Sequence, residues 1–503
     1  MSEWMVMGMK KAFKILLLYP NGTLMNPPPI AIGIFTALLR AEGFELDLFD
    51  TTLYPEEGLL SDQAKEKNLQ VKPFDYASRG VSVRTTRMED DLKAKVCAFV
   101  PDLVLISMLE CTYSRSLQML TAMKDVRVPI IAGGVFPTFA PELVLKNPGI
   151  TAVCVGEGER PVVELCRRLS RGEPIWDVDN LCFIRDGALV RNKLAPVIDL
   201  NTLPIPDYSL FEPERFFRPM AGKVYLTVPV ETNRGCPFAC TFCNSPSMVK
   251  LYRTNDCAFF RKKSIPVIAA EIEYLVKIWG AEYVYFTSDN FLIGSQAEFD
   301  QFIEFYRKIR LPFWIQSRPE TVTPERIERL KSAGCHRMSM GLEHGNNDFR
   351  IKVLNKKFDN ATMIKASRII AQAGIPLTVN NMIGFPGETR ELIFDTIELN
   401  RQIVSDSMNC SVFAPFHGSP LHQVCIDAGY IKDDLILGSV NTEAPLDMPQ
   451  LSRAEIQGMR RTFVLYVKMP KDYWPKIKRA EILDAEGDRL FEELRSLCQR
   501  QFV

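Results

Sequence analysis

The sequence predicts an α/β protein with a Rossmann-like first domain, a partial (β/α)6 barrel and a helical C-terminal region. Strand-length apolar runs alternate with amphipathic stretches of helix length in two separate series, which is the rhythm of parallel sheets covered by helices. Between the two series the periodicity weakens and prolines accumulate, as in an extended connection between domains. We therefore divide the chain into a first domain at 1–182, a connection at 183–222, a barrel at 223–420 and a helical region at 421–503.

The first series contains five predicted strands. Each is a continuous apolar run, so we expect a sheet covered on both faces, with ligands bound beyond the carboxyl ends of its strands. The polar stretch at 55–92 interrupts the series and is expected to be an insertion with local helices or a mobile lid beside the substrate entrance. The predicted strands lie at 13–20, 44–50, 101–109, 128–134 and 150–159, and the first helix lies at 27–43.

The second series contains six predicted strands separated by helical stretches. Six units indicate an open or partial barrel rather than a complete eight-unit one. The predicted strands lie at 224–232, 281–289, 312–318, 336–343, 375–384 and 408–416, and helices are predicted at 265–280, 323–334 and 361–374.

Composition argues against several classes of partner. The chain has 61 Lys and Arg and 61 Asp and Glu residues, so no net charge attracts it to nucleic acid or to an acidic membrane. The apolar runs are too short for a membrane span, and the N-terminal residues lack the apolar core of a secretion signal. We expect a cytoplasmic protein with reduced cysteines. Four cysteines in apolar segments are expected in the core, namely Cys97, Cys154, Cys166 and Cys182.

Three cysteines at close spacing carry the strongest chemical signal. Cys236, Cys240 and Cys243 follow the first strand of the second series on one loop. Three thiolates can bind three irons of a [4Fe–4S] cluster and leave the fourth iron open, as reactive metal sites do. A zinc loop is the alternative, and it requires a fourth ligand, for which Cys257 is the neighbouring candidate.

The C-x3-C-x2-C spacing after the first strand of a partial barrel resembles the radical S-adenosylmethionine (SAM) superfamily. The resemblance implies that SAM binds the open iron through its amino and carboxylate groups. One electron, from a donor such as ferredoxin or flavodoxin, then cleaves SAM to a 5′-deoxyadenosyl radical. Polar groups at the barrel strand ends and an aromatic in the cysteine loop match the superfamily's SAM-binding positions: Phe242, Ser288, Asp289, Asn290, Gln316, Arg318 and Glu343.

The first domain resembles the cobalamin-binding domain that precedes the barrel in a large radical SAM subfamily. The similar segments are 106–114 (ISMLECTYS), 130–142 (IIAGGVFPTFAPE) and 155–165 (VGEGERPVVEL). They imply cobalamin contacts at Asn21, Ser107, Glu110, Cys111, Thr112, Tyr113, Gly133, Gly134, Val135, Phe136, Gly156, Glu157 and Gly158.

A histidine on cobalt is excluded for the first domain because this part of the chain contains none. The four histidines are His336, His344, His417 and His422, and Phe136 stands where the subfamily often has His. We therefore expect cobalamin to bind base-off and His-off, with the loops at 21–29 and 107–113 covering its lower face.

Together the two resemblances imply a class B radical SAM methyltransferase. In such an enzyme one SAM methylates the cobalt, and a second gives the radical that abstracts hydrogen from an unactivated substrate carbon. The substrate radical then takes the methyl group from methylcobalamin. We expect a peptide or protein substrate, for example a glutamine of methyl-coenzyme M reductase, while a small molecule is also compatible. Two alternatives are a radical SAM cyclase or oxidase resembling the anaerobic Mg-protoporphyrin ester cyclase, and a non-catalytic protein that senses cobalamin.

Overall fold

A computed structural model describes residues 12–56, 61–253, 258–438 and 444–502. The predictions about the N-terminal residues and Cys257 lie outside these ranges. The seven strands of the first sheet are β1 (Lys14–Tyr19), β2 (Glu45–Asp50), β3 (Leu103–Ser107), β4 (Ile130–Gly133), β5 (Ala152–Cys154), β6 (Leu181–Arg185) and β7 (Ala188–Arg191). Their order is β2-β1-β3-β4-β5-β6-β7, and β1 to β5 are parallel. The five predicted strands are thus confirmed, in the order of a doubly wound fold.

The antiparallel hairpin β6–β7 is absent from the sequence-based prediction. It extends the sheet at β5 and crosses the domain boundary predicted at residue 182. Its turn is formed by Asp186 and Gly187, whose φ angles are 51° and 77°. Asp-Gly between two strands is a strong hairpin signal because both residues tolerate positive φ, so the sequence did contain a local signal for this turn.

Helices cover both faces of the first sheet. The helices of this domain are α1 (Ile30–Ala41), α2 (Ser61–Lys67), α3 (Met88–Phe99), α4 (Tyr113–Ala122), α5 (Val135–Phe139), α6 (Pro141–Leu145) and α7 (Glu159–Arg171). Leu17 and Leu105 pack towards α1 and α7, whereas Leu16 and Val104, one residue earlier on each strand, pack towards α3 and α4. Alternate strand residues therefore enter two separate core layers.

The second sheet confirms the partial barrel. Its strands are β8 (Phe217–Met220), β9 (Lys223–Glu231), β12 (Tyr283–Thr287), β13 (Phe313–Ser317), β14 (Cys335–Glu343), β15 (Leu377–Ile383) and β16 (Ser407–Val412). The order is β16-β15-β14-β13-β12-β9-β8, with six parallel strands and β8 antiparallel at one edge. A separate two-stranded ribbon joins β10 (Asn233–Arg234) to β11 (Arg261–Lys262).

The barrel helices begin at the caps that their sequences provide. The helices of the barrel and of the C-terminal region are α8 (Ser245–Arg253), α9 (Ile265–Trp279), α10 (Gln296–Ile309), α11 (Pro324–Ala333), α12 (Asn347–Lys352), α13 (Asn360–Gln372), α14 (Arg390–Asn400), α15 (Pro420–Asp427), α16 (Arg453–Lys468), α17 (Trp474–Ala480) and α18 (Ala485–Gln501). Ser295 and Glu298 form a capping box at the start of α10, and the hydroxyls of Thr323 and Thr389 accept backbone N–H groups at the starts of α11 and α14.

The polar stretch at 55–92 was predicted to be an insertion with local helices or a mobile lid, and its described part contains α2 and the start of α3. Lys72 pairs with Asp406, immediately before β16, and Arg79 pairs with Glu282, immediately before β12. Gln70 is buried and donates to a β16 carbonyl. The described part of this stretch therefore contacts the amino ends of barrel strands, and its expected place beside the substrate entrance is wrong in that respect.

The cysteines follow the prediction with one exception. Every cysteine in the described ranges is unpaired, and Cys154, Cys166 and Cys182 are buried. Cys97 is exposed, because α3 turns a different set of residues towards the core. None of the helices in the described parts of the chain combines the length and apolar character needed to cross a bilayer.

Candidate functional site

The cysteine loop lies at the carboxyl end of the first barrel strand. Cys236, Cys240 and Cys243 stand between β10 and α8; Cys240 is buried and the other two are partly buried. Within the described ranges, no three Cys, His, Asp or Glu side chains converge closely enough to hold a single metal ion. An iron–sulfur cubane instead takes one thiolate on each of several irons. Cys257, which the zinc alternative needs, lies outside the described residues.

The loop is fixed by contacts with distant parts of the barrel. Thr241 donates through Oγ1 to the carbonyl of Val353 at 2.7 Å, and Asn355 donates through Nδ2 to the carbonyl of Ala239 at 2.8 Å. The backbone N–H of Leu421, on α15, donates to the Thr241 carbonyl at 3.0 Å. These bonds fix the backbone of the loop that carries the three cysteines.

Hydrogen-bond donors surround the thiols. The Ser245 backbone N–H lies 3.4 Å from Sγ of Cys243, and Nη1 of Arg318 lies 3.6 Å from Sγ of Cys240. Burial raises the pKa of Cys236, and that of Cys243 to about 11. Hydrogen-bond donors beside the sulfur atoms stabilise thiolates that bind iron, so this loop fits a [4Fe–4S] cluster.

Polar residues at the ends of β12 and β13 lie beside the cysteine loop. Ser288 donates to Asn233, and Ser317 donates to Asn290 at 2.6 Å. Burial raises the pKa of Cys236 and of Cys243, and the carboxylate of Asp289 adds to the rise. Ser288 and Asn290, at the end of β12, are thus hydrogen-bonded to the segment before the cysteines and to the end of β13.

Arg318 is held between an aromatic ring and a carboxylate. Its guanidinium lies 3.8 Å from the ring centre of Phe238 and 2.6 Å from Glu320. The neighbouring predicted residue, Gln316, is partly buried, and its backbone carbonyl accepts from the N–H of Phe291. Arg318 therefore has most of its donors engaged by the protein, including the one at Cys240.

Glu343 forms a buried ion pair at the end of β14. Nζ of Lys356 lies 2.9 Å from its carboxylate, and both side chains are almost fully buried. The same ammonium lies 5.8 Å from the ring centre of Phe242 in the cysteine loop. Glu343 has a φ of 65°, a conformation that non-glycine residues adopt at a cost. The carboxylate of Glu343 and the ammonium of Lys356 therefore lie together at this end of the barrel.

A second buried pair lies behind this one and was not predicted. Nε2 of His344 lies 3.1 Å from Glu388, and both side chains are fully buried. Nδ1 of His344 accepts a hydrogen bond from the Asn346 N–H at 3.0 Å, and Nε2 faces the Glu388 carboxylate. Glu388 also accepts from the N–H groups of Gly384 and Phe385. The carboxylate thus fixes the glycine turn that follows β15.

A largely apolar cavity of about 320 Å³ opens in the first domain. It lies between the sheet and helices α1 and α7, at the carboxyl ends of the strands. Seven of the predicted cobalamin contacts line it: Ser107, Gly133, Gly134, Val135, Gly156, Glu157 and Gly158. Four residues of the barrel side complete the lining, namely Glu231, Arg234, Met248 and Phe259.

Two glycines shape the mouth of this cavity. Gly134 has a φ of 111°, and a Cβ there would lie 2.5 Å from the carbonyl oxygen of Met108. Gly156 has a φ of 78°, and its Cβ would lie 2.3 Å from the hydroxyl of Tyr252. Only glycine leaves room for these contacts, so the two loops pack directly against the Met108 backbone and the Tyr252 side chain beside the cavity.

An ionic network joins the cavity to the cysteine loop. Arg234, two residues before the first cysteine, lies 3.2 Å from Glu157, 2.6 Å from Glu159 and 3.1 Å from Glu231. Arg261 contacts Glu157 as well. Glu157 lies in the loop after β5 and Glu159 is the first residue of α7, so the two cofactor loops share one cluster of charges.

Comparison with known proteins agrees with this geometry. The profile of the Radical SAM superfamily matches residues 230–399, and that of the B12 binding domain matches residues 24–166. Together the two matches cover more than half of the chain. The chain belongs to the cobalamin-binding radical SAM family. Its cofactors are accordingly a [4Fe–4S] cluster, SAM and cobalamin.

Relatives of this family extend over most of the chain. An uncharacterized methyltransferase of Pyrococcus horikoshii is 26% identical, covering 83% of this chain and 84% of the relative. The anaerobic magnesium-protoporphyrin IX monomethyl ester cyclase of Rubrivivax gelatinosus is 25% identical over 67% of this chain, which spans only 60% of the cyclase. The structure of the radical SAM methyltransferase TsrM from Kitasatospora setae, solved with cobalamin and a [4Fe–4S] cluster bound, superposes with a TM-score of 0.61 at 17% identity, over 84% of this chain and 76% of TsrM.

The remaining predicted cobalamin contacts of the family do not line the cavity: Asn21, Glu110, Cys111, Thr112, Tyr113 and Phe136. The carboxylate of Glu110 accepts from the N–H of His417 at 2.9 Å and from that of Leu437 at 3.0 Å. Phe136 is fully buried against the rings of Tyr113 and His417. The side chains of Glu110 and Phe136 are thus engaged by the protein, and their contact with cobalamin stays a prediction.

The side chains of Asn21 and Thr112 are likewise hydrogen-bonded to other groups of the protein. Asn21 is buried and donates to Thr52 at 2.9 Å and to the carbonyl of Met25 at 2.6 Å. Thr112 bonds the backbone of Leu109. These bonds stabilise the loops at 21–29 and 107–113, which the family resemblance places below the corrin.

Several site residues escaped the sequence analysis. Lys356, Arg234 and Ser245 each contact a predicted residue but carry no motif of their own, whereas Glu388 belongs to the segment Gly384-Phe385-Pro386-Gly387-Glu388-Thr389, which resembles a G-x-P-G-E-T motif. Arg234 directly precedes the Gly-Cys of the cysteine motif, and that position was the local signal available for it.

Proposed function

We propose that this chain is a cobalamin-dependent radical SAM methyltransferase that methylates an unactivated carbon. The observation that carries the proposal is the shared lining of the first-domain cavity. Glu231, Arg234, Met248 and Phe259, which flank the cysteine loop, stand opposite the glycine loops of the first domain. Two cofactor sites on the two sides of one interface allow methyl donor, substrate carbon and radical to converge, which such a reaction requires.

When bound, the cluster and SAM supply a 5′-deoxyadenosyl radical and the corrinoid supplies the methyl group, so that each methylation consumes two SAM and two electrons. The protein's own part is to bind and orient. Cys236, Cys240 and Cys243 hold three irons and leave one free for SAM. Arg318, which donates to the Cys240 sulfur, and Asp289, at the end of β12, would contact SAM.

For the substrate, the proposal extends to a peptide or protein side chain, with glutamine of methyl-coenzyme M reductase as the first case to test. The balance of 61 basic and 61 acidic residues supports this class over nucleic acid. The uncharacterized methyltransferase of Pyrococcus horikoshii aligns with 83% of the chain and the cyclase of Rubrivivax gelatinosus with 67%, which supports methylation over cyclisation.

The test uses the full-length protein purified without oxygen and reconstituted with iron, sulfide and hydroxocobalamin. SAM, a reduced ferredoxin or flavodoxin and candidate glutamine peptides are added, and 5′-deoxyadenosine and peptide mass are measured together. A mass gain of one CH2 unit that is lost in Cys236→Ala supports the proposal. Formation of 5′-deoxyadenosine with a product mass that indicates cyclisation or loss of hydrogen refutes methylation. A corrinoid that binds without any SAM cleavage supports the sensor instead.

A further inference from the structure

The inner end of the first-domain cavity is apolar on every side. Its floor is a row of side chains on three neighbouring strands, where Leu17 is in register with Leu105 and Leu105 with Ile131. Val162 of α7 also lines the cavity, and Cys154 of β5 completes its inner lining. All five are at least nine-tenths buried.

Polar groups occur only near the mouth. Ser107 and Gly133 are paired at the carboxyl ends of β3 and β4. Thr138 donates to the Gly134 carbonyl at 2.8 Å and accepts from the Gly156 N–H at 2.9 Å, so its hydroxyl is already engaged. The charged lining residues are held in the ionic network around Arg234 described above.

The inner end therefore offers little to a polar ligand. Strand backbone groups beneath it are bonded within the sheet, and Cys154 is a weak donor whose thiol pKa burial raises to about 12. A cavity of about 320 Å³ accepts a flat bicyclic ring but not a corrin macrocycle. The macrocycle would be too large to enter, so the lower base of the nucleotide tail is the part of the ligand that this cavity would hold.

We propose that this cavity selects among natural corrinoids by the chemistry of the lower base, accepting a benzimidazole and disfavouring a purine. The proposal rests on the corrinoid-binding part of the proposed function. The amine and ring nitrogens of adenine would be buried without partners, whereas dimethylbenzimidazole presents methyl groups and carbon edges. Burying an unpaired polar group costs enough to weaken binding at least about tenfold.

The test compares three corrinoids on the full-length, corrinoid-free protein: hydroxocobalamin, the corresponding cobamide with adenine as lower base, and cobinamide, which has no base. Dissociation constants are measured by visible absorbance after equilibrium dialysis, with no catalytic turnover. We expect cobalamin to bind at least about tenfold more tightly than the adenine cobamide, and more tightly than cobinamide. Equal or tighter binding of the adenine cobamide overturns the proposal, and so does equal binding of cobinamide.

A matched pair of variants tests whether the preference for one lower base arises in this cavity. Cys154→Ser places a hydroxyl in the cavity and should narrow the preference for cobalamin over the adenine cobamide severalfold. Cys182→Ser makes the same change at a buried cysteine on the other face of the sheet, outside the cavity lining, and should leave the ratio unchanged. A ratio unaffected by Cys154→Ser in a folded variant overturns the assignment of this cavity.

The outcome is separable from the proposed reaction. 5′-Deoxyadenosine formation by the reconstituted protein reports on the cysteine loop and SAM, independently of the lower base. If none of the three corrinoids binds, the cobalamin part of the proposed function fails together with this inference. If all three bind alike and methylation proceeds, only the selectivity fails.

Discussion

Replacing Arg234 by Gln should weaken the junction of the two domains. The guanidinium lies within 3.2 Å of three carboxylates, and its side chain is 18% exposed. Loss of one partner leaves buried charge uncompensated, which typically costs about 3–5 kcal/mol. Because Arg261 still contacts Glu157, two carboxylates rather than three lose their cation. We therefore expect the lower end of that range, about 3 kcal/mol.

The assay is urea unfolding of the metal-free protein, followed by circular dichroism. A chain with several domains does not unfold in one step, so the quantity compared is the midpoint of the first transition. A loss of about 3 kcal/mol corresponds to a decrease of roughly 1–2 M urea. Arg234→Lys is the control, because it keeps the charge but lacks the planar fork that reaches several carboxylates, and it should recover part of the loss.

The reasoning is refuted if the Gln variant folds and unfolds at the wild-type midpoint. Such a result would mean that the carboxylates find compensation elsewhere, and that the ionic network does not join the two domains. A loss equal in the Gln and Lys variants would show instead that shape rather than charge matters at this position.

Three further predictions concern other contacts. Burial lowers the pKa of His417, but the Glu110 carboxylate outweighs it, so the net shift of this pKa is upward from 6.5. The stability that a raised histidine pKa contributes is lost as the pH rises through that pKa. Thermal stability should therefore fall above pH about 6.5, and it should fall less in Glu110→Gln. Lys356→Met leaves Glu343 buried without its cation and should cost about 3 kcal/mol in urea unfolding, with much of it recovered when Glu343→Gln is added. Gly134→Ala forces a side chain into a positive-φ position, should cost about 1–3 kcal/mol, and should reduce corrinoid retention on gel filtration.

Each of these has a specific contradicting result. A pH profile unchanged by Glu110→Gln would remove the carboxylate as the cause of the histidine shift. Failure of the second substitution to rescue Lys356→Met would show that the lysine acts through something other than Glu343. Full corrinoid retention by Gly134→Ala would mean that this loop does not approach the ligand.

The sequence predicted the parts of the fold that have a local signature. Continuous apolar runs correspond to the parallel strands of both sheets, and the spacing of the three cysteines was enough to identify the loop after β9. The cavity-lining glycines were also found, since the Gly133–Gly134 pair and Gly156 occur in short recognisable segments. These features depend on residues a few positions apart, which is the range over which periodicity and motifs carry information.

What the sequence did not predict is the pairing of distant side chains. Arg234 and Glu157 are 77 residues apart, and Glu110 and His417 are 307 apart. No local pattern links such residues, because their proximity is produced by the packing of whole domains. Glu110 illustrates the consequence: its position in a cofactor-like loop suggested a ligand contact, whereas its carboxylate is used to hold the C-terminal segment.

The distant pairs decide how precisely the two cofactor loops are placed relative to each other. Gly156 and Gly158 bracket Glu157, and Arg234 leads directly into the cysteine motif. A salt bridge between Glu157 and Arg234 therefore connects one cofactor loop to the other. Reactions that pass through a substrate radical depend on the separation of the reacting atoms to within about 1 Å. Loss of the charge network, rather than of the sheets themselves, should therefore separate two properties. The cavity and the cysteines should each still bind their cofactor, whereas methyl transfer should fail because it needs the two cofactors in register.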